Sequence, residues 1–177
     1  MTLWIAFKLF LAVYILWNLI VAILVIHEFG HLIAMKKLGI VPDKVVIGSR
    51  RIFNLRMTKV NFEIGLVPLW GYVASKSYEH APPDKRAIVA AAGPLMSIVT
   101  GLAFLGINHI HPFWIISLLA KGSFILVVTN LIPLPPLDGW TIVEYFILKA
   151  GFKITPVARK VLLGAGFVAI IVMTFLV

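Results

Sequence analysis

Long apolar runs separated by short polar connections dominate the hydrophobic pattern of this chain. Four runs are about as long as the roughly 20 residues that a helix needs to cross the hydrocarbon core of a bilayer. They cover approximately residues 3–35, 87–107, 113–132 and 161–177. The pattern predicts a mainly α-helical membrane protein with about four transmembrane helices. The last run is the shortest, and the preceding Arg159 and Lys160 would extend it to the interface.

The segment between the first two runs alternates apolar and polar residues, which is the pattern of a β-strand. The apolar positions are Phe53, Leu55 and Met57, followed by Val60, Phe62, Ile64 and Leu66. The change of register at Thr58 and Lys59 predicts a hairpin turn between two strands, with a third strand at 44–47. The apolar segment 65–73 contains glycine and proline and is too short to span a membrane. We expect it to be a membrane-associated loop beside a small cytoplasmic-side hairpin or sheet, the whole segment covering about 44–74.

Proline and glycine interrupt two of the helical runs. Gly93 and Pro94 lie inside the second run and predict a kink there. The third run ends in NLIPLPPLDGW, in which the prolines cannot continue an α-helix. We expect extended backbone over 133–136 and a new helix beginning near Asp138, a residue type that favours helix N-caps.

Composition and charge assign the chain to the membrane. The chain has 177 residues, of which 61% are hydrophobic and 13% charged, so it differs from ordinary soluble domains. Ten of the sixteen basic residues lie between Lys36 and Arg86, and the positive-inside rule places that segment in the cytoplasm. The net charge of +9 therefore needs no nucleic-acid partner. The connection at 108–112 lacks Lys and Arg, which places it outside and predicts a multi-pass protein with both termini outside. We expect one membrane domain over 1–177.

The first apolar run carries the chemistry-bearing motif HEFGH at positions 27–31. His27 and His31 are four residues apart, so on a helix both imidazoles lie on one face and can bind one ion. Glu28 flanks them and can act as a base toward water at that ion. An alternative is that both histidines hydrogen-bond to neighbours and that Glu28 pairs with a lysine. Three ionisable groups on one turn of a membrane span are costly without a metal, which favours the first interpretation.

A catalytic zinc usually has three protein ligands and one water, so a third ligand is needed. The chain has no cysteine, which leaves histidines and carboxylates. The candidates are Asp43, Glu63, Glu79, His80, Asp84, His109, His111, Asp138 and Glu144. Asp138 is distinguished by its position at the cytoplasmic end of the third run, the same depth as the histidine pair. Its alternative role is to cap the helix that follows.

Four motifs together resemble those of the site-2 protease family of intramembrane zinc metalloproteases, in particular its small prokaryotic members. In chain order they are HEFGH, GLVPLWGYV, AAGPLMS and NLIPLPPLDG, and they extend over approximately residues 23–139. The resemblance implies that His27, His31 and Asp138 hold one zinc and that Glu28 activates the attacking water. It also implies hydrolysis of a peptide bond in or near a transmembrane segment of a membrane-protein substrate, in a prokaryotic cell membrane with the site toward the cytoplasm.

The resemblance further implies where the substrate binds. The position of Asn130 helps to hold the substrate strand, and the segment containing Gly65 and Gly71 resembles a β element that pairs with an unwound substrate. At Ser97 many relatives have Asn. The chain shows no insertion for a PDZ domain and no nucleotide-sensing domain, so substrate selection is expected from the membrane core, the loops or a separate regulatory membrane partner.

Two functions from other classes are alternatives to a protease. A non-proteolytic zinc-binding membrane adaptor would need the ligands but not the base Glu28. A metal transporter would spread polar residues through the depth of several spans, whereas here they gather at one level. Both observations favour a zinc endopeptidase of the HExxH type.

Overall fold

The computed structural model describes residues 2–57 and 60–176. Within these residues the chain forms six helices and two strands. In order they are α1 (Thr2–Lys37), β1 (Lys44–Met57), β2 (Val60–Ala74), α2 (Lys76–Glu79), α3 (Pro83–Ile110), α4 (Trp114–Asn130), α5 (Asp138–Lys149) and α6 (Pro156–Leu176). The prediction of a mainly helical protein with a small sheet is confirmed.

Among the described helices, α1 and α3 are long and apolar enough to cross a membrane, judged by length and composition. They correspond to the first two predicted spans. The third predicted span coincides with α4, which is apolar but has only 17 residues. The fourth coincides with α6, except that Val177 lies outside the described residues. Membrane association is therefore supported, while the number of four spans stays a prediction.

β1 and β2 are long, bent strands that pair along much of their length. The end of β1 pairs antiparallel with the start of β2, as Phe53 opposite Ile64 shows, so the predicted hairpin is present. Its turn at 58–59 lies outside the described residues. Residues 44–47 pair with 61–64 on one side and with 71–74 on the other. Segment 65–73 thus belongs to β2, and the predicted loop is wrong there because its backbone hydrogen-bonds into the sheet.

The sheet packs against the part of α1 that carries the HEFGH motif. Leu24 and Leu32, on either side of the motif, form a buried cluster with Val45, Ile47 and Val60 of the sheet. Nearer the start of α1, the indole Nε1 of Trp17 donates to the Leu66 carbonyl at 2.7 Å. The alternating apolar residues of the strands therefore cover one flank of α1.

α3 lies at the centre of the helices and packs against α1, α4 and α5. It continues as a helix through Pro94. After α4 the chain is irregular until α5, and the peptide bond between Pro135 and Pro136 is cis. Turns occupy this connection, so the expectation of a fully extended 133–136 is wrong. The predicted new helix does begin at Asp138.

A buried ionic cluster ties α5 to its neighbours. Glu144 of α5 is 5% exposed and accepts hydrogen bonds from Arg86 of α3 at 2.9 Å and Arg159 of α6 at 2.6 Å. A buried carboxylate is tolerated when it is paired in this way, and losing a partner is costly. The cluster fixes α5, and with it Asp138, relative to α3.

Candidate metal centre

The two histidines of α1 are buried and point at α3. His27 is 2% exposed and His31 is 8% exposed. The Nδ1 atom of His31 lies 2.8 Å from the Val89 carbonyl oxygen, which can only accept a hydrogen bond. The proton of the neutral ring is therefore on Nδ1, and the Nε2 lone pair is free. Histidines that bind metals usually divide their ring nitrogens in this way: one donates a hydrogen bond and the other is the ligand.

Asp138 brings the third donor atom to the histidine pair. Its Oδ2 lies 3.2 Å from His27 Nε2 and 3.3 Å from His31 Nε2. The N-cap position of α5 is Leu137, and no side-chain capping hydrogen bond is formed. When no cation lies between these atoms, a protonated imidazole can donate from Nε2 to Asp138. Burial then opposes the charged form of Asp138, but the hydrogen bonds from His27 and His31 outweigh it, so the pKa of this carboxyl is lower than usual. Asp138 therefore faces the imidazoles as a carboxylate instead of capping its helix.

The three donor atoms have the spacing that a tetrahedral metal ion requires. The two Nε2 atoms are 3.3 Å apart, which closes a nearly equilateral triangle with Asp138 Oδ2. Ligands about 2.0 Å from a tetrahedral zinc are about 3.3 Å from one another. Lone pairs of two neutral imidazoles and a carboxylate repel at this distance unless a cation lies between them. The donor set thus fits a divalent cation with nitrogen and oxygen preference.

Glu28 lies beside this triangle and is 3% exposed. It offers one of three possible ligand atoms, the others being on His27 and His31, and these three atoms lie within 4.8 Å of one another. The Oε2 atom of Glu28 is buried and has no hydrogen-bond partner among the described residues. The carboxylate also lies against β2, because a Cβ on Gly71 would be 2.7 Å from Glu28 Oε1. A buried carboxylate oxygen without a protein partner is suited to hold water.

α3 supplies the space in which the histidines lie. A Cβ added to Gly93 would be 2.8 Å from His27 Nε2 and closer still to His31 Nε2. Sequence reasoning treated Gly93 only as part of a kink and left the contact of Ser97 undetermined. The signal that could have found them is their spacing, since Val89, Gly93 and Ser97 recur every four residues and share one face of α3.

The other predicted site residues have different surroundings. Asn130 ends α4, and its side-chain amide donates to the Leu126 carbonyl of its own helix at 2.9 Å. Gly65 is buried in the sheet, and the three atoms nearest to an added Cβ there all belong to Ser49. Of the three substrate-binding candidates, Gly71 is the one that contacts the site, through Glu28. Their roles toward a substrate stay predictions.

Several other third-ligand candidates are engaged elsewhere. Glu144 accepts from two arginines, as described for α5. Glu63 lies 3.5 Å from Arg51. Asp43 accepts a hydrogen bond from the Lys76 backbone at 2.9 Å. Asp138 is distinguished from these carboxylates because its Oδ2 lies within 3.3 Å of the Nε2 atoms of both histidines.

Comparison with known proteins agrees with this geometry. The model of peptidase family M50 matches residues 15–112, which is more than half of the chain. The chain belongs to peptidase family M50, and the resemblance of its motifs to site-2 proteases is confirmed. The site-2 protease of Methanocaldococcus jannaschii has a similar fold, with a TM-score of 0.61 and 22% identity over 91% of this chain and 66% of that one.

Two bacterial relatives share part of the sequence. The regulator of sigma E protease of Haemophilus influenzae is 27% identical over 140 residues, covering 67% of this chain and 30% of the relative. A provisionally named zinc metalloprotease of Chlamydia trachomatis is 29% identical over 110 residues, covering 49% of this chain and 18% of the relative. The matched regions thus span less than a third of the length of either relative.

Proposed function

We propose that this protein is an intramembrane zinc endopeptidase that cleaves a membrane protein in or next to a transmembrane segment. The observation that carries the proposal is the triangle of His27 Nε2, His31 Nε2 and Asp138 Oδ2, with sides of 3.2, 3.3 and 3.3 Å, beside the Glu28 carboxylate, whose Oε2 has no hydrogen-bond partner among the described residues. The names of the relatives as zinc metalloproteases support zinc as the metal. One zinc is held per chain.

The chain's own residues then divide the work of peptide hydrolysis. When bound, zinc supplies Lewis acidity that lowers the pKa of water and polarises a carbonyl. His27, His31 and Asp138 hold the metal. Glu28 takes a proton from the attacking water at its carboxylate and gives it to the leaving nitrogen as the C–N bond breaks. The products are a carboxylate and an amine, and Glu28 ends as it began.

The sheet offers a place for the substrate. A helical peptide bond is shielded by its own turn and must be extended before water can attack it, and pairing with a strand stabilises the extended form. Gly71 of β2 touches Glu28, while the neighbouring Leu69 and Trp70 are 72% and 48% exposed. An extended segment of apolar sequence that pairs along this part of β2 would therefore pass the base. Such sequence is typical of a transmembrane substrate.

The proposal is tested with purified protein in lipid vesicles, a panel of single-span substrates and metal analysis. We expect about one zinc per chain and cleavage of at least one substrate. Stripping the zinc with a chelator should abolish cleavage, and added zinc should restore it. A chain that binds zinc but cuts no substrate in the panel would favour an adaptor, and zinc flux into the vesicles would favour a transporter. Either result would overturn the proposal.

Asp138→Asn should weaken zinc binding on the order of 10-fold or more, because a neutral amide replaces a charged ligand. The measurement is competition for zinc with a chelator of known affinity. Asp84→Asn is the matched control, since both residues lie in the first turn of a helix, Asp84 in α3 and Asp138 in α5, but Asp84 is exposed. Both changes remove the same favourable interaction with a helix dipole. Equal zinc affinity in the two variants would show that Asp138 is not a ligand.

A further inference from the structure

Ser97 of α3 is a buried polar residue whose hydroxyl meets a proposed metal ligand. Its Oγ lies 2.9 Å from His27 Nδ1, and the residue is 2% exposed. His27 reaches the donor triangle through its other nitrogen, Nε2. If Nε2 offers its lone pair to a cation, then Nδ1 carries the proton and donates it to Ser97 Oγ.

We propose that Ser97 is a positioning residue for the metal centre, which fixes the tautomer and ring orientation of His27. The inference rests on the proposed function, because it assigns Ser97 to the same zinc site. A histidine that binds metal generally donates its second ring proton to an oxygen, and that oxygen sets both the donor nitrogen and the ring plane. Ser97 Oγ is the oxygen that performs this task for His27.

The arrangement of α3 supports the assignment, because it gives each histidine its own acceptor. His31 donates to the Val89 carbonyl at 2.8 Å, and His27 lies opposite Ser97, eight residues further along α3. Gly93 lies midway between the two acceptors and leaves room for both rings. Residues four and eight apart share one helix face. One face of α3 therefore provides a hydrogen-bond acceptor for each of the two histidines, and the glycine between these acceptors leaves room for both rings.

The two acceptors differ in whether a substitution can remove them. The acceptor of His31 is a backbone carbonyl, which any residue at position 89 would supply. The acceptor of His27 is a side chain, so the orientation of this ligand depends on the residue type at position 97. A side chain without an acceptor at this point would leave the Nδ1 proton of His27 buried and unpaired, and the ring would be free to turn or to change tautomer.

The test compares zinc affinity in Ser97→Ala and Ser123→Ala. Ser123 is also 2% exposed, and its hydroxyl donates to the Leu119 carbonyl within its own helix at 2.8 Å. The two variants therefore lose the same buried hydroxyl, and only one loses a contact with a histidine of the site. We expect chelator competition to show zinc binding about 10- to 100-fold weaker in Ser97→Ala. Ser123→Ala should match the wild type.

A spectroscopic measurement distinguishes a role of Ser97 in positioning His27 from a contribution to overall folding. With Co²⁺ in place of zinc, the visible absorption band reports the geometry of the ligands, and it should change in Ser97→Ala but not in Ser123→Ala. Ser97→Thr and Ser97→Val form a second pair of equal shape, in which only Thr retains a hydroxyl. We expect Thr to bind zinc more tightly than Val. This pair decides the question if Ser97→Ala does not fold.

Unchanged zinc affinity and an unchanged Co²⁺ band in Ser97→Ala would overturn the inference, as would equal affinities of the Thr and Val variants. These outcomes leave the proposed function intact, because the wild type would still bind zinc and cleave. A wild-type protein that binds neither zinc nor Co²⁺ would instead contradict the proposed function.

Discussion

Glu28→Gln is expected to slow substrate cleavage by roughly two to four orders of magnitude while the protein keeps its full zinc content. The amide has nearly the shape of the carboxylate, so it fits the buried space beside Gly71, but it cannot accept a proton from water. General bases contribute about 10²- to 10⁴-fold to such reactions, so the rate should fall by roughly that factor. The measurements are the rate of product formation from a single-span substrate and the zinc content of the same preparation.

The control for this prediction is Glu79→Gln, which makes the same substitution at an exposed position of α2. It should cleave at the wild-type rate. Because Glu28 Oε2 has no hydrogen-bond partner among the described residues, the substitution breaks no protein hydrogen bond there, and thermal stability should stay close to that of the wild type, which guards against loss of activity through unfolding. Cleavage at the wild-type rate in Glu28→Gln would mean that another group takes the proton.

Gly93→Ala is expected to weaken zinc binding strongly and, with it, to slow cleavage. The added methyl group would occupy the space of His31 Nε2 and approach His27 Nε2 to 2.8 Å, so α1 and α3 must separate or both rings must turn. Either response removes two of the three donor atoms from their triangle. We expect zinc affinity to fall on the order of 100-fold or more, measured by chelator competition and by the zinc content after purification.

Gly106→Ala is the matched control for this substitution. It lies on the same helix, and an added Cβ there would have no atom within 4 Å. Both variants gain the helix propensity of alanine over glycine, so the comparison isolates the contact with the histidines. Wild-type zinc affinity in Gly93→Ala would show that the two helices can move apart without disturbing the site. That result would contradict the close packing described for α1 and α3.

Much of the site could be predicted from the sequence, because local spacing carries that information. The four-residue separation of His27 and His31 fixes their common face on any helix. The prolines before Asp138 predicted correctly that one helix ends and another begins there. The segment 65–73 was predicted wrongly as a loop, because its glycines and proline suggested irregular backbone. Pairing with residues 44–47 decided its strand conformation, and that pairing joins segments distant in the chain.

By itself, the sequence determined a helical, apolar chain with two candidate metal ligands and a candidate base on one turn, since periodicity and composition are local properties. Only the tertiary structure decided that the Asp138 carboxylate turns to the histidines instead of capping α5. It also decided that Gly93 provides space and that Ser97 receives His27. These roles arise where α3 and α5 meet α1, and contacts between helices distant in the chain depend on packing that no local pattern encodes.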